Sequence, residues 1–131
     1  MSAPDTVLLD TSVVVEHLRR KDPNIAQRLK EPRILYIPLI ARGEMLLGAH
    51  ASSAPKVLQE TRAFFSICAL LAPDDATSEI YGRIGADLQR KGKKIPTNDL
   101  WIAAMALQHN LPLAARDFHF SQVTGLTVLQ W

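Results

Sequence analysis

A chain of 131 residues is the size of one ordinary domain, long enough to bury about two thirds of the surface its unfolded form exposes, so it needs no staples. Apolar residues make up 47% and charged residues 21%, which excludes disordered and collagen-like classes. Fifteen Lys and Arg against thirteen Asp and Glu leave a net charge of +2, too mild alone to establish nucleic-acid binding. If several acids gather in one pocket, the remaining surface is distinctly basic.

The single cysteine, Cys68, excludes an internal disulfide, and there is no Cys/His cluster of the zinc-binding kind. Cys68 reads as a core residue in a reducing compartment. The start, Met1 to Asp5, lacks a basic stretch followed by an apolar one, and no apolar run approaches bilayer length. The expectation is a cytoplasmic protein without a membrane partner.

Thr6-Val7-Leu8-Leu9-Asp10-Thr11-Ser12 is a short apolar run that ends abruptly on an acid. Such runs read as buried parallel strands, and in open α/β sheets ligands sit just beyond the strands' carboxyl ends. Asp10 is thereby placed where chemistry happens, with the alternative that it caps the helix beginning near Val13. That helix runs to Arg20 and ends in Arg19-Arg20-Lys21, cations that suit a helix C-terminus. Asp22-Pro23 opens a short helix over Asn24 to Lys30. Ile34-Leu35-Tyr36-Ile37 is the second strand, stopped by Pro38.

Leu39 to His50 forms the next helix and Pro55 to Ala69 a longer one, with Val57, Leu58, Phe64, Phe65 and Cys68 as its apolar positions. The turn-like link Ser52 to Pro55 predicts that the two pack as a helical hairpin. Ala69 to Ala72 is a short third strand. A helix over Asp74 to Lys91 begins with capping acids and ends at Gly92. Pro96-Thr97-Asn98-Asp99 starts the most apolar helix, whose body runs from Leu100 to Leu107. Leu113 to Arg116 is a fourth strand ending at Asp117, and Leu126 to Trp131 a fifth. Strands alternating with helices predict an α/β fold: a twisted parallel sheet with helices on both faces, without repeats or linkers.

Glu44 has Ile40, Ala41, Leu47 and Gly48 as its helical neighbours, so its carboxylate is expected on the apolar face. A lone buried carboxylate costs several kcal/mol unless a cation compensates it, and Arg42 points elsewhere on the helix. A basic partner from a distant segment is the alternative. Asp99 lies in a first helical turn, where the dipole favours an acid by about 0.3–1 kcal/mol, yet its neighbours Ile102 and Ala103 are apolar. Asp117 follows an apolar strand as Asp10 does, with a turn-forming role as its alternative.

Each acid has a plain explanation alone. Jointly, two strand-end acids and two on apolar helix faces require a common counter-charge, and open carboxylates are the hard ligands that Mg2+ or Mn2+ selects. Such a cluster supports phosphodiester hydrolysis by metal-activated water. There is no Gly-x-Ser-x-Gly elbow, no Cys-His pairing and no Gly-rich phosphate loop. His17, His50, His109 and His119 show no metal-ligand spacing, and only His119 lies near a motif acid.

Val7-Leu8-Leu9-Asp10-Thr11-Ser12, Glu44 with Met45-Leu46-Leu47-Gly48, Thr97-Asn98-Asp99 with Leu100-Trp101-Ile102-Ala103-Ala104, and Ala115-Arg116-Asp117-Phe118-His119-Phe120 together resemble PIN-domain ribonucleases, particularly the VapC toxins of bacterial toxin–antitoxin pairs. The resemblance spans essentially the whole chain, read as a single PIN domain over 1–131. It implies a PIN-like five-stranded parallel sheet. It also implies that Asp10, Glu44, Asp99 and Asp117 are the catalytic acids holding one or two Mg2+ or Mn2+ ions, with Ser12, Asn98 and Thr11 orienting water or a carboxylate. Further implications are an RNA substrate, a homodimer, and a VapB-type antitoxin that blocks the active site, forming a toxin–antitoxin hetero-oligomer. One departure is that many relatives carry a further acid where this chain has His119.

Candidate RNA contacts are Lys91, Lys93 and Lys94 in the run before Asp99, Arg42 and Arg116 beside motif acids, and His119. A solvated helix end is the alternative for the Lys-rich run. Trp101 and Trp131 are read as packing residues, with base stacking as the alternative. The leading expectation is a metal-dependent endoribonuclease toxin. The alternatives are a housekeeping PIN nuclease in RNA maturation and a non-catalytic binding module of the same fold.

Overall fold

The computed structural model describes residues 4–131, so the leader reading at residues 1–3 lies outside the described residues. The chain folds as β1 (Thr6–Leu9), α1 (Thr11–Arg20), α2 (Pro23–Leu29), β2 (Ile34–Pro38), α3 (Leu39–Ala51), α4 (Pro55–Ser66), β3 (Ala69–Leu71), α5 (Asp75–Arg90), α6 (Thr97–Gln108), β4 (Leu113–Ala115) and β5 (Val128–Gln130). A 3-10 turn, Phe118–Gln122, lies between the last two strands, where the sequence pattern predicts no element.

The strands form one five-stranded sheet in the order β3-β2-β1-β4-β5, all pairs parallel. Val7 lies opposite Leu35, and Leu9 opposite Ala114. Strand β1 is central, and Val7, Leu8 and Leu9 are fully buried, which is why its apolar run is continuous rather than alternating. The chain builds outward from β1 through β2 to β3, then crosses back to start the other half at β4. Parallel crossovers are right-handed, so reversing the direction of travel carries the covering helices to the opposite face, and the sheet is sandwiched as expected.

The reversal also leaves the carboxyl ends of β1 and β4 side by side with their loops diverging, the crevice in which doubly wound sheets bind ligands. Asp10 continues the pairing by one more bond, its N–H donating to the Ala114 carbonyl at 3.0 Å. On α6, Ile102 to Ala106 are all buried, and the helix packs against α5 and α3, which fixes Asp99 at its N-terminal end. Helix α5 starts at a capping box between Asp74 and Thr77 and packs along α6; Gln108 at the end of α6 donates to Asp74 Oδ1 at 2.7 Å and accepts from Thr77. Gly92, at φ 67°, takes the left-handed conformation that turns the chain from α5 toward α6.

Several boundaries differ from expectation. Helix α4 stops at Ser66, and Cys68 sits in the following turn rather than on the helix, because β3 must begin at Ala69 to pair with Tyr36. Strand β4 ends at Ala115 and β5 covers only Val128–Gln130. Helix α1 starts at Thr11, two residues early, because Asp10 itself is its cap. Helices α3 and α4 do pack together as the short link predicts. No helix among the described residues is long and apolar enough to cross a membrane.

Candidate active site

At the carboxyl end of β1 and β4 lies an open cleft of about 550 Å³, lined by Asp10, Glu44, Asp99 and Asp117 together with Thr11, Ser12, Asn98 and Thr97. The four acids come from four places in the chain: a strand end, the middle of α3, the first turn of α6 and the strand end after β4. Strand-end and helix-start signals place Asp10, Asp99 and Asp117, whereas Glu44 depends on how α3 packs. Together they bring four carboxylates to one open cleft.

Asp10 is the floor, only 2% exposed. Its Oδ2 accepts from the Ser12 backbone N–H at 3.3 Å, the N-cap bond of α1, and from the Ser12 hydroxyl at 2.6 Å. The Arg116 backbone N–H in turn donates to Ser12 Oγ at 3.3 Å, tying the β4 loop to the same post. Asp10 Oδ1 is buried with no partner. The cap alternative and the site reading both hold for Asp10: one oxygen caps α1 and the other has no partner. Burial pushes the Asp10 carboxyl up to about 6; Ser12 pulls against that rise, and the charges of Asp99 and Asp117 add to it.

Asp99 is half-buried, and its Oδ2 lies 2.6 Å from His119 Nε2. Burial raises its carboxyl above the usual value, His119 opposes the rise, and Asp117 and Glu44 add to it. Asp117 is exposed, precedes the 3-10 turn and makes no cap bond there. Glu44 is exposed as well, with Leu47 72% exposed on the same helix face. Its sequence-based placement on a buried apolar face is corrected: the neighbours are apolar, but that face of α3 overlooks the cleft rather than the core. Glu44 Oε1 is held by the Thr11 hydroxyl at 3.0 Å, so Thr11 is tied to Glu44 rather than to helix capping.

A divalent cation fits this donor set. The unpartnered Asp10 oxygen is a buried charge without compensation, which is costly unless a cation approaches it. One ligand atom each from Asp99, Asp117 and His119 lies within 4.8 Å of the others. Hard oxygen donors in this number suit Mg2+ or Mn2+.

The basic candidates are dispersed. Arg42 lies over the Phe65 ring at 5.2 Å. Arg116 donates to the Trp131 carbonyl at 2.9 Å and stands 3.9 Å from Asp22. Lys91 pairs with Asp87 and donates to Thr124, both at 2.8 Å. Lys93 and Lys94 are exposed, line a separate groove beside α5, and make no ion pair among the described residues. Trp101 stacks on Tyr81, centroids 4.2 Å apart, as a packing residue. Burial pushes the Cys68 thiol up to about 11, so it stays protonated and is no nucleophile. Phe118, 78% exposed between Asp117 and His119, is an exposed aromatic next to a cleft acid that the sequence pattern does not single out, because a phenylalanine beside an apolar strand reads as core.

Fold and cleft define a doubly wound α/β protein with an acidic, cation-suited centre at its topological switch point. The profile of the PIN domain matches residues 7–126, and the chain belongs to the PIN domain family. It is 32% identical over 121 residues to Toxin FitB of Neisseria gonorrhoeae, covering 85% of this chain and 87% of the relative. It is 28% identical over 131 residues to Ribonuclease VapC1 of Haemophilus influenzae strain R2866, covering 95% and 96%. Among solved structures, DNA-bound VapBC from Salmonella typhimurium superposes with a TM-score of 0.91 at 26% identity, covering 96% of this chain and 98% of that one.

Proposed function

We propose that this chain is a Mg2+- or Mn2+-dependent endoribonuclease, the toxin of a toxin–antitoxin pair, acting as one domain in the cytoplasm. The observation that carries the reading is the convergence of Asp10, Glu44, Asp99 and Asp117 on one cleft, with a buried Asp10 oxygen left free. Relatives named as ribonucleases and toxins over nearly the whole chain support the same reading.

Asp10, Glu44, Asp99 and Asp117 would hold one or two ions. When bound, the ion supplies a lowered pKa for an attacking water and stabilises charge on the phosphate and the departing oxygen. The protein's own part is positional. Ser12 fixes Asp10, and Thr11 fixes Glu44. Asn98, beside Asp99 on the first turn of α6, offers an amide to the cleft for orienting water or phosphate. The cleft is open enough to admit a single RNA strand. Phe118, exposed and next in the chain to Asp117, presents a face on which an unpaired base can stack, and Lys93 and Lys94 offer uncommitted charge for the backbone. Arg42, Arg116, Lys91 and His119 have partners within the chain and would contact RNA only by sharing or exchanging them.

The partner is a small VapB-type antitoxin that covers the cleft, in keeping with the VapBC complexes among the structural neighbours, and the toxin pairs with a second copy of itself. The deciding experiment incubates the purified chain with total RNA in MnCl2, MgCl2 or EDTA and maps the ends formed. Cleavage in either ion, none in EDTA and none by Asp10→Asn is expected, with growth arrest on expression of the wild type alone. No cleavage in either ion would sink the reading, and cleavage without growth arrest would favour the housekeeping nuclease.

A further inference from the structure

Three of the four cleft acids have one carboxylate oxygen held by a side-chain donor, and the second oxygen of Asp10 has no hydrogen-bond partner. Ser12 holds Asp10 Oδ2, and Thr11 holds Glu44 Oε1. For Asp99 the donor is His119, whose Nε2 lies 2.6 Å from Oδ2. With Asp99 ionised to hold a cation, the carboxylate can only accept, so Nε2 is the donor in this bond and is committed to Asp99.

The geometry points to His119 as a positioning residue: through Nε2 it fixes the Asp99 carboxylate for the ion, rather than giving that nitrogen to the metal or to RNA. The inference rests on the metal-dependent reading of the cleft. Both partners are attached to buried supports. Asp99 opens α6, whose next turn is buried from Ile102 onward. His119 sits on the 3-10 turn, where fully buried Phe120 is the anchor and packs its ring against the imidazole at 4.9 Å and 50°. The imidazole is thus braced from behind and hydrogen-bonded in front. No other side-chain hydrogen bond to Asp99 forms among the described residues, so without His119 the carboxylate would be free to turn about its bond to Cβ. The preceding Asp117 belongs to the cleft itself, so one short stretch around the 3-10 turn carries both a candidate ligand and the group that aims another.

The test is calorimetric titration of Mn2+, Mg2+ and Ni2+ into the full-length wild type, His119→Ala and His119→Gln, with thermal melts in EDTA. Gln places an amide N–H where Nε2 was; Ala does not. Outer partners of metal ligands typically contribute about 10–100-fold to metal affinity. The expected result is a loss of that size for His119→Ala, similar for all three ions, with His119→Gln within about threefold of wild type and melting in EDTA unchanged. If His119→Ala does not fold, His119→Leu takes its place. Wild-type affinity in the variant without a donor would overturn the inference. So would a loss confined to Ni2+ and Mn2+ and equal in Ala and Gln, which is the signature of a nitrogen ligand. A wild type that binds none of the ions would overturn the metal-dependent reading itself, and the inference with it.

Discussion

The Ser12 hydroxyl donates to Asp10 Oδ2 at 2.6 Å while accepting the Arg116 backbone N–H at 3.3 Å, so one small side chain joins the ends of two neighbouring strands through the most buried acid of the cleft. Ser12→Ala removes that joint. Asp10 keeps only the longer backbone bond, and hydrogen bonds to charged groups contribute about 1.5–3 kcal/mol. The metal-free protein is expected to lose stability of that order in urea melts, and Mn2+ affinity is expected to fall about 10-fold or more as Asp10 loses its orientation. Unchanged Mn2+ affinity would show that Ser12 merely fills space.

The pH dependence of the metal-free protein is set first by Asp10, with Asp99, also raised by burial, acting in the same sense. The Asp10 carboxyl titrates near 3.8 unfolded and at about 6 folded, so between those values the folded state binds more protons. Stability therefore falls as pH rises through this window, by roughly 3 kcal/mol in total. Asp74 and Asp87, lowered by Gln108 and Lys91 respectively, act in the opposite sense but are common to wild type and variant. In EDTA, Asp10→Asn should gain stability relative to wild type as pH climbs from about 4 to 7, and hold the gain above that. In MnCl2 the wild type should recover the difference while Asp10→Asn does not. A pH-independent gap in EDTA would mean the carboxyl is not perturbed.

The β1 run ending on Asp10, the Gly92 stop and the apolar body of α6 are legible in the sequence because they are local signals, set by burial and backbone conformation within a few residues. Convergence of Asp10 and Asp117 follows from the same strand-end logic. Glu44 reaches the cleft for a different reason from the one its neighbours suggest. They are apolar, yet Leu47 is exposed, because which side of α3 meets the core is decided by where α4 packs and not by α3 alone. The 3-10 turn is illegible for a similar reason. Phe118, His119 and Phe120 look equivalent in sequence, and only docking of Phe120 into the core decides that its neighbours face outward. Nor can the Asp99–His119 bond be read from spacing, since its partners lie 20 residues apart on elements with no shared period.

Phe120 is the clearest stability determinant of the site. It is fully buried, the largest of the completely enclosed side chains, and holds the turn that carries His119 and follows Asp117. Truncating a buried phenylalanine costs about 3–5 kcal/mol through lost burial and the cavity left behind. Phe120→Ala is expected to lower stability in urea by that amount, and to weaken Mn2+ binding further than Ser12→Ala because two cleft residues lose their support. A loss under about 1 kcal/mol would show that the turn has other anchors.

Phe118, two residues earlier, should behave in the opposite way. Its ring is 78% exposed, so removing it takes nothing from the core, and Phe118→Ala is expected to melt as the wild type does. Stacking of a base on an aromatic face contributes about 1–3 kcal/mol, equivalent to roughly 5- to 150-fold in affinity. Binding of a short single-stranded RNA to the Asp10→Asn protein, which cannot cut it, should weaken within that range when Phe118→Ala is added. Mn2+ affinity in the otherwise native protein should stay unchanged, since the Phe118 ring offers no donor to hold any of the acids. Phe118→Trp supplies the positive control: a larger face should hold RNA at least as tightly. If Phe118→Ala left RNA affinity intact, the protein would not grip substrate through this ring, and the exposed lysines Lys93 and Lys94 would be the next pair to neutralise.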